Sequence, residues 1–430
     1  MSTNHVTGDR MPMKTNFAII GNGCAAVEAV EQIRQYDRES KITIFSDCTD
    51  LPYNPMLLSY YLSEKVNEKQ FYLTDWSFYE KHRVEFVGGS AVTELHAVEK
   101  YLLLADGSRW DFDQVLIASG SSSFVPPMAG KDAENVFTLR TLEATRNLKH
   151  YLDTHEIRRA LVIGASMMGI KVAEHFSNAG IPCTLADGAN RLFPLASCQE
   201  CADMMYGLVE RRGVTLRFSA FVDGIETDEN NRAVRVSFKD GKPAEEVDVV
   251  VLCIGVRPNM AFINRDEVAC DRAILVDDHM RTNVPGVYAA GDCTQGYDYI
   301  LKGNRTIGLL NNARFQAKTA ALNMVGQYST YGGSLPHNVT RFLGMIFTGI
   351  GDPAAEGEVF EVSHPETSQY ARIVHKDGKI VFANLLNYPE LSGILKNSML
   401  RGCGDRPAQD VKTIGYDEFT QTILRNTLRV

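Results

Sequence analysis

A short turn rich in small residues separates an apolar run from a helical pattern near the start of the chain. Gly21, Gly23 and Ala26 occupy the three positions of a G-x-G-x-x-A pattern there. Gly21 permits a tight turn, Gly23 lets the backbone approach a pyrophosphate, and Ala26 lets helix and strand pack closely. Unpaired N–H groups at the helix start would favour the anion. Asp47, after the next apolar run, is positioned to accept hydrogen bonds from a ribose.

The same arrangement recurs from Gly164, with Ser166 and Gly169 at the second and third positions and Asp187 after the following apolar run. Ser166 replaces the middle glycine, so its side chain costs backbone clearance. One such unit favours a dehydrogenase with a diffusing substrate, whereas two favour a bound flavin that receives hydride from a nicotinamide. Asp187 would accept the 2′-hydroxyl of NADH and repel the 2′-phosphate of NADPH. No arginine stands in the three positions after it, so NADH is the expected nucleotide.

Both turns depend on flanking elements that the sequence also predicts. Apolar runs at residues 17–20 and 160–163 predict buried strands, and helical spacing follows at 27–34 and 170–179. A strand, a glycine turn, a helix and a second strand make a βαβ unit. The chain therefore predicts an α/β fold with parallel sheets.

Three further segments, at residues 113–120, 248–259 and 274–292, complete a set that is more specific than either turn alone. In this order the set resembles the FAD-dependent pyridine nucleotide-disulfide oxidoreductase superfamily. The stretch Leu-Pro-Tyr-Asn-Pro-Met-Leu-Leu-Ser at residues 51–59 is most similar to the branch of ferredoxin and rubredoxin reductases and the flavin domains of nitrite reductases.

The resemblance implies two Rossmann-like dinucleotide-binding domains, for FAD and NAD, and a smaller α+β C-terminal domain. It assigns residues 1–118 and 256–328 to a discontinuous FAD-binding domain, 119–255 to an NAD-binding domain and 329–430 to the C-terminal domain. In this assignment Asp292 would hold the ribityl chain of the flavin. The residues expected to contact FAD are Gly21, Gly23, Ala26, Asp47, Tyr53, Asn54, Ala118, Gly120, Gly291 and Asp292, and those expected to contact NAD are Gly164, Ser166, Gly169, Lys171, Asp187 and Gly255.

Several expected site residues leave alternatives open. Tyr53 and Asn54 either neighbour the flavin or form a loop turn before Pro55. Where ferredoxin reductases have a lysine near the reactive flavin nitrogen, this chain has Tyr60, so a cation that would stabilise the reduced flavin is absent there. Where the family has a glutamate near the nicotinamide, this chain has Lys171. That residue is either a solvated lysine on a helix face or a changed electrostatic gate for nicotinamide entry.

Cysteine placement discriminates among enzymes of this superfamily, because it decides where electrons go after the flavin. Disulfide reductases carry two thiols on the helix after the first glycine turn, and no such pair stands near residues 51–62. Cys198 and Cys201 have C-x-x-C spacing, but the resemblance puts them at the start of an ordinary helix. Cys48 directly follows Asp47, which puts it by the adenosine end of FAD. No second C-x-x-C or H-x-x-x-H accompanies the pair, so no metal site is expected.

The composition excludes several function classes. The 430 residues include 44 Lys plus Arg against 53 Asp plus Glu, for a net charge of −9. Such a chain gains no counterion release from nucleic acid. No run approaches the roughly 18 apolar residues of a membrane span. Nine cysteines, an odd number spread over the chain, do not suggest a disulfide framework, so reduced thiols in a cytoplasmic protein are expected.

The expected function is an FAD-dependent NADH:acceptor oxidoreductase. Electrons would pass from NADH through flavin to a separate iron–sulfur or rubredoxin-like acceptor protein. Alternatively, the chain is the NADH-reacting subunit of a larger complex, as in nitrite reductases or 2-oxoacid:acceptor oxidoreductases of the phenylglyoxylate type. Two further alternatives stay open: an NADH oxidase or a peroxide or disulfide reductase using Cys48 or the Cys198 and Cys201 pair, and a non-catalytic nucleotide-binding subunit.

Overall fold

A computed structural model describes residues 14–401 of the chain, and in its first part the apolar runs form strands. Phe17, Ile19 and Ile44 are almost fully buried, as the middle of a covered parallel sheet requires. The elements of this part are β1 (Asn16–Ile20), α1 (Cys24–Tyr36), β2 (Lys41–Ser46), a 3-10 turn (Pro55–Leu57), α2 (Leu58–Leu62), a second 3-10 turn (Glu68–Gln70), α3 (Ser77–Lys81), β3 (Val84–Gly88), β4 (Val92–His96), β5 (Tyr101–Leu104), β6 (Arg109–Asp111), β7 (Gln114–Ile117) and β8 (Ser121–Ser123).

The middle of the chain forms a second group of strands and helices. These are β9 (Val136–Thr138), α4 (Leu142–Thr154), β10 (Ala160–Ile163), α5 (Met167–Asn178), β11 (Cys183–Ala186), α6 (Gln199–Glu210), β12 (Val214–Arg217), β13 (Val222–Thr227), β14 (Ala233–Phe238), β15 (Glu245–Glu246), β16 (Val249–Leu252) and β17 (Val256–Pro258). Strands β12, β11, β10, β16 and β9 pair in this order, and all of these pairs are parallel. Strands β13, β14 and β15 form a separate antiparallel sheet.

The chain then returns to the first sheet. β18 (Val287–Ala289) pairs in parallel with β7 and completes the order β18, β7, β1, β2, β3. The hairpin of β19 (Gly296–Asp298) and β20 (Gly303–Arg305) follows, and then α7 (Leu310–Met324). Both crossings between the sheets run through β8 and β17, which pair antiparallel. Two separate stretches of chain therefore build the first sheet, while the expected domain boundaries stay a prediction.

The last described part is an antiparallel sheet with one helix. Its elements are β21 (His337–Phe342), β22 (Met345–Gly351), β23 (Glu358–His364), β24 (Gln369–Lys376), β25 (Lys379–Leu386) and α8 (Pro389–Arg401). With the two parallel five-stranded sheets, it confirms the expected α/β fold class with a smaller C-terminal α+β unit. The expected C-terminal domain extends to residues 402–430, which lie outside the described residues. Within the described part, no helix has the length and apolarity to cross a membrane.

The second parallel sheet and the C-terminal sheet share one hydrophobic core. The ring of Phe193 lies with its centroid 4.9 Å from that of Phe347 and 5.4 Å from that of Phe342. A Cβ atom on Gly349 of β22 would lie 2.5 Å from the carbonyl oxygen of Ala196, so the two backbones approach closely at this point. The C-terminal sheet therefore cannot shift without disturbing the second sheet.

The side chain of Asn384 in β25 forms hydrogen bonds across this shared core. It is fully buried, donates to the carbonyl of Ala196 (2.8 Å) and accepts from the backbone N–H of Cys198 (2.7 Å). We expect Asn384→Leu to lower the free energy of unfolding by about 3 kcal/mol, because both backbone groups lose their partner while buried. Urea denaturation followed by circular dichroism measures this loss.

Val359→Thr, a change at a half-exposed position of β23, serves as the control. If Asn384→Leu costs no more than this control, the hydrogen bonds of Asn384 contribute nothing to stability and the interpretation is wrong.

Candidate functional site

The first glycine turn leaves β1 where the strand order of the sheet reverses. Gly21 has a φ of +109°, and a Cβ atom on it would lie 2.3 Å from the carbonyl oxygen of Ala118, just after β7. A residue with a side chain does not fit this crossing. The N–H of Gly21 also donates to the carbonyl of Phe45 (2.7 Å) in β2. The turn is therefore held against the strands on both sides of β1.

The start of α1 lies open in front of this turn. Gly23 is the N-cap of α1 without any side-chain cap, and a Cβ atom on it would meet nothing within 4 Å. The first N–H groups of α1 therefore have no side-chain acceptor, an arrangement that suits a pyrophosphate. Ala26 is fully buried, as close packing of helix on strand requires. Burial raises the pKa of the Cys24 thiol to about 11, which favours its protonated form at neutral pH.

Two exposed residues, Asp47 and Cys48, follow the end of β2. Within residues 14–401, the carboxylate of Asp47 makes no hydrogen bond or ion pair, so both oxygens are available to a ligand. The Sγ atom of Cys48 lies 3.4 Å from the hydroxyl of Ser46. The carboxylate, the open helix start and the turn at Gly21 form what we call the first cradle, and its donors and acceptors match those of an adenosine diphosphate group.

Asp292 lies beside a cation that sequence reasoning missed. Its Oδ2 atom accepts from the guanidinium of Arg140 (2.7 Å) and from the hydroxyl of Ser121 (2.9 Å). No donor among the described residues reaches Oδ1. One oxygen is therefore fixed and the other is free for a ligand hydroxyl. Arg140 precedes Thr141, the N-cap of α4, and the sequence there indicates only a helix start.

The side chains of Tyr53 and Asn54 both form hydrogen bonds with backbone groups of this chain. The hydroxyl of Tyr53 accepts from the backbone N–H of Leu142 (3.0 Å), the first residue of α4. The side chain of Asn54 accepts from the N–H of Met56 (3.0 Å) and caps the 3-10 turn. Asn54 thus forms the turn at Pro55 that the sequence leaves as one alternative. A contact of Tyr53 or Asn54 with a flavin stays a prediction.

The second glycine turn repeats the crossing of the first. Gly164 has a φ of +112°, and a Cβ atom on it would lie 2.4 Å from the carbonyl oxygen of Cys253, just after β16. A Cβ atom on Gly169 would lie 1.9 Å from the carbonyl oxygen of Gly164, so helix and strand touch there. Ser166 donates to the carbonyl of Cys253 (2.9 Å) and accepts from the N–H of Gly169 (3.1 Å). Its hydroxyl therefore caps α5. The sequence indicates only the backbone clearance that Ser166 costs and does not predict this cap.

Asp187 follows β11 and closes this turn. Its two oxygens accept from the backbone N–H groups of Ala165 (2.6 Å) and Ala189 (2.7 Å). The carboxylate is therefore preoriented by the glycine turn itself, with lone pairs left for a ribose hydroxyl.

A cavity of about 800 Å³, which we call the cleft, joins all three parts of the fold. Ser166, Asp187 and Gly255 line it from the second sheet, residues 305–309 from the first part, and Pro336 from the C-terminal part. Its size suits one nucleotide ligand. Gly164, Gly169 and Lys171 are absent from its described lining.

Lys171 lies at the junction of these three parts. Its side chain is only 11% exposed and pairs with Glu174, so the solvated-lysine reading is wrong. The ammonium donates to the carbonyl of Arg341 (2.9 Å) and lies 4.8 Å from the centroid of the Tyr60 ring. Lys171 and Tyr60, at each of which this chain differs from the family pattern, therefore form a cation–π contact. A cation does stand beside Tyr60, supplied by α5; whether it gates nicotinamide entry stays a prediction.

The C-x-x-C pair is enclosed between α6 and the C-terminal sheet. Cys198 is 7% exposed and Cys201 is 0% exposed. Burial raises the pKa of both thiols. The Sγ atom of Cys198 lies 3.6 Å from the hydroxyl of Tyr370. Thiols that are protonated and shielded from solvent are poor redox partners.

Two parallel sheets, each with a glycine turn where its strand order reverses, are the architecture of dinucleotide-binding folds. The profile described as pyridine nucleotide-disulphide oxidoreductase matches residues 15–317, and the chain belongs to this family of FAD- and NAD(P)H-dependent enzymes. This confirms the resemblance expected from the sequence.

Relatives and solved structures agree with this assignment. The chain is 28% identical over 370 residues to NADH-dependent phenylglyoxylate dehydrogenase subunit epsilon of Aromatoleum evansii, covering 85% of this chain and 86% of the relative. It is 28% identical over 322 residues to putidaredoxin reductase of Pseudomonas putida, covering 74% and 76%. The covalent putidaredoxin reductase–putidaredoxin complex has the same fold, with a TM-score of 0.87, 23% identity and coverage of 96% of this chain and 99% of that chain.

The buried pair at the junction can be tested through its stability. We expect Lys171→Met to lower the free energy of unfolding by about 3 kcal/mol, because Glu174 would keep a buried charge without its partner. Lys171→Met combined with Glu174→Gln should recover part of that loss, since no unpaired charge remains. Urea denaturation measures both.

Lys149→Met is the matched control, because the partner of Lys149, Glu64, is 74% exposed. Exposed pairs contribute at most about 1 kcal/mol. If Lys171→Met and Lys149→Met lower the free energy of unfolding equally, the buried Lys171–Glu174 pair does not stabilise the junction as predicted.

Proposed function

We propose that this chain is an FAD-dependent NADH:acceptor oxidoreductase that passes electrons to a separate acceptor. The enclosure of Cys198 and Cys201 carries this proposal. Among the eight cysteines that the structure describes, this is the closely spaced pair, and both thiols are buried with raised pKa values. Residues 14–401 therefore offer no accessible dithiol that could take electrons from the flavin.

The residues present fit both nucleotides. The first cradle would hold the pyrophosphate of FAD on the start of α1, with Asp47 on its adenosine ribose and Asp292 Oδ1 on its ribityl chain. Arg140 would fix the orientation of Asp292. The second turn and the cleft would hold NADH through Gly164, Ser166 and Asp187. The proposed domain limits are 1–118 with 256–328, 119–255 and 329–430. FAD, when bound, supplies the step between a two-electron donor and a one-electron acceptor.

The charges around Asp187 support NADH over NADPH. The nearby Arg217 is 7% exposed and bound by Asp240 and Glu245, so its charge is neutralised. Lys239 lines the cleft, with its ammonium 3.7 Å from the carboxylate of Asp223. A 2′-phosphate would meet the Asp187 carboxylate and already paired cations.

The acceptor we propose is a small iron–sulfur or rubredoxin-like protein. Similarity to putidaredoxin reductase, and the solved complex of that enzyme with putidaredoxin, support this class. The second candidate is an NADH-reacting subunit of a larger complex, favoured by coverage of 86% of the phenylglyoxylate dehydrogenase subunit. Co-purification of the native protein with its partners, identified by mass spectrometry, distinguishes the two.

Anaerobic mixing of the flavin-loaded protein with NADH tests the core of the proposal. We expect the flavin absorbance to bleach within seconds, because the proposed function requires hydride transfer from NADH to the flavin. A flavin that stays oxidised would favour the non-catalytic alternative and contradict the proposal.

Cysteine variants test the exit of electrons. We expect Cys48→Ser and Cys198→Ser/Cys201→Ser to reduce an artificial dye with NADH at the rate of the unmodified protein, since no thiol takes part. Loss of turnover in either variant would support an NADH oxidase, peroxide or disulfide reductase instead.

Nicotinamide choice is tested at Asp187. We expect Asp187→Ala to lower the ratio of kcat/KM for NADH to that for NADPH by about tenfold, because the repulsion of the 2′-phosphate disappears. Asp203→Ala, a change at an exposed carboxylate on α6, is the control. An unchanged ratio in Asp187→Ala would mean that the carboxylate does not select the nucleotide.

A further inference from the structure

Phe221 is a large apolar side chain left in solvent at the wall of the cleft. It is 65% exposed and lines the same cavity as Asp187 and Ser166. Exposed single apolar residues are common and need no explanation by themselves. Phe221, however, also packs on the backbone next to Asp187.

The ring of Phe221 rests on the backbone directly after Asp187. A Cβ atom on Gly188 would lie 2.4 Å from Cε1 of the ring, so the absence of a side chain there makes room for it. The N–H of Ala220 donates to the carbonyl of Asp187 (2.9 Å), and the N–H of Lys239 donates to the carbonyl of Phe221 (2.8 Å). These two hydrogen bonds hold the backbone that carries the ring, and the ring itself packs over Gly188.

We propose that Phe221 is the platform on which the adenine of the nicotinamide dinucleotide stacks. The inference rests on the proposed function, because it assumes that Asp187 takes the adjoining ribose. An adenine next to that ribose would reach the wall formed by Phe221 and Val222. Aromatic rings stack on bases through their faces, and the apolar surface that Phe221 exposes would then be covered by ligand.

The experiment measures binding of ADP-ribose, which carries the adenine and no nicotinamide, by calorimetry on the flavin-loaded protein. Loss of one base stack weakens binding by roughly tenfold to a hundredfold, which is the effect expected for Phe221→Ala. Phe221→Leu should lose most of this affinity, since it keeps an apolar side chain without an aromatic face. Phe221→Trp should keep it.

Gly188→Ala provides a second test in the same wall. Gly188 does not have a positive φ, so alanine suits its backbone, but the new Cβ must push the ring aside. We expect weaker ADP-ribose binding by Gly188→Ala in the unmodified background and little further loss in the Phe221→Ala background.

Two controls separate the inference from the proposed function. Reduced nicotinamide mononucleotide lacks adenine, so its affinity should be equal in Phe221→Ala and the unmodified protein. Tyr328→Ala removes another exposed ring, 84% exposed and outside the lining of the cleft, and should bind ADP-ribose normally.

If the unmodified protein binds neither NADH nor ADP-ribose, the proposed function fails. If it binds both, and Phe221→Ala binds ADP-ribose equally well, the stacking inference alone is overturned. Equal loss of ADP-ribose and reduced nicotinamide mononucleotide in Phe221→Ala would also overturn it, because the ring would then only support the fold.

Discussion

The close crossing of a glycine turn over the neighbouring strand is the constraint on which both candidate nucleotide sites depend. In each parallel sheet the strand order reverses beside the strand that carries the turn, β1 in one and β10 in the other. A Cβ atom on Gly21 or Gly164 would lie 2.3 Å or 2.4 Å from a carbonyl of the adjacent strand end. Because the backbone passes so close, each helix starts directly above the crevice between the reversed strands, where ligands of α/β sheets bind.

The two turns share this geometry but differ in how many polar groups they leave open. At the first, α1 has no side-chain cap and Asp47 has no partner among the described residues. At the second, Ser166 caps α5 and Asp187 already holds two backbone N–H groups. A site with more unpaired donors and acceptors gains more from its ligand. This difference suits a retained cofactor at the first turn and a nucleotide that leaves in each turnover at the second.

The fold and both glycine turns were predictable because their signals are local. Apolar runs, glycine spacing and helical periodicity lie within a few residues of each other around Gly21 and Gly164. What the sequence did not reveal are contacts between residues distant in the chain. Arg140 reaches Asp292 across 152 positions, and Lys171 reaches the carbonyl of Arg341 across 170. Such pairs leave no pattern in one sequence, so the sequence leaves Lys171 open between a solvated lysine, which its 11% exposure contradicts, and an electrostatic gate.

The proposed exit of electrons to a separate acceptor depends on what the C-terminal sheet covers. By packing on residues 193–198, this sheet removes Cys198 and Cys201 from solvent and binds the N–H of Cys198 through Asn384. The same sheet gives the carbonyl of Arg341 to Lys171, whose ammonium lies on the Tyr60 ring of α2. The sheet thus shields the Cys198 and Cys201 thiols from solvent, and it also contacts the Lys171 side chain that packs α5 against α2. Since a buried protonated thiol pair exchanges electrons poorly, the proposed reaction needs an acceptor other than this thiol pair.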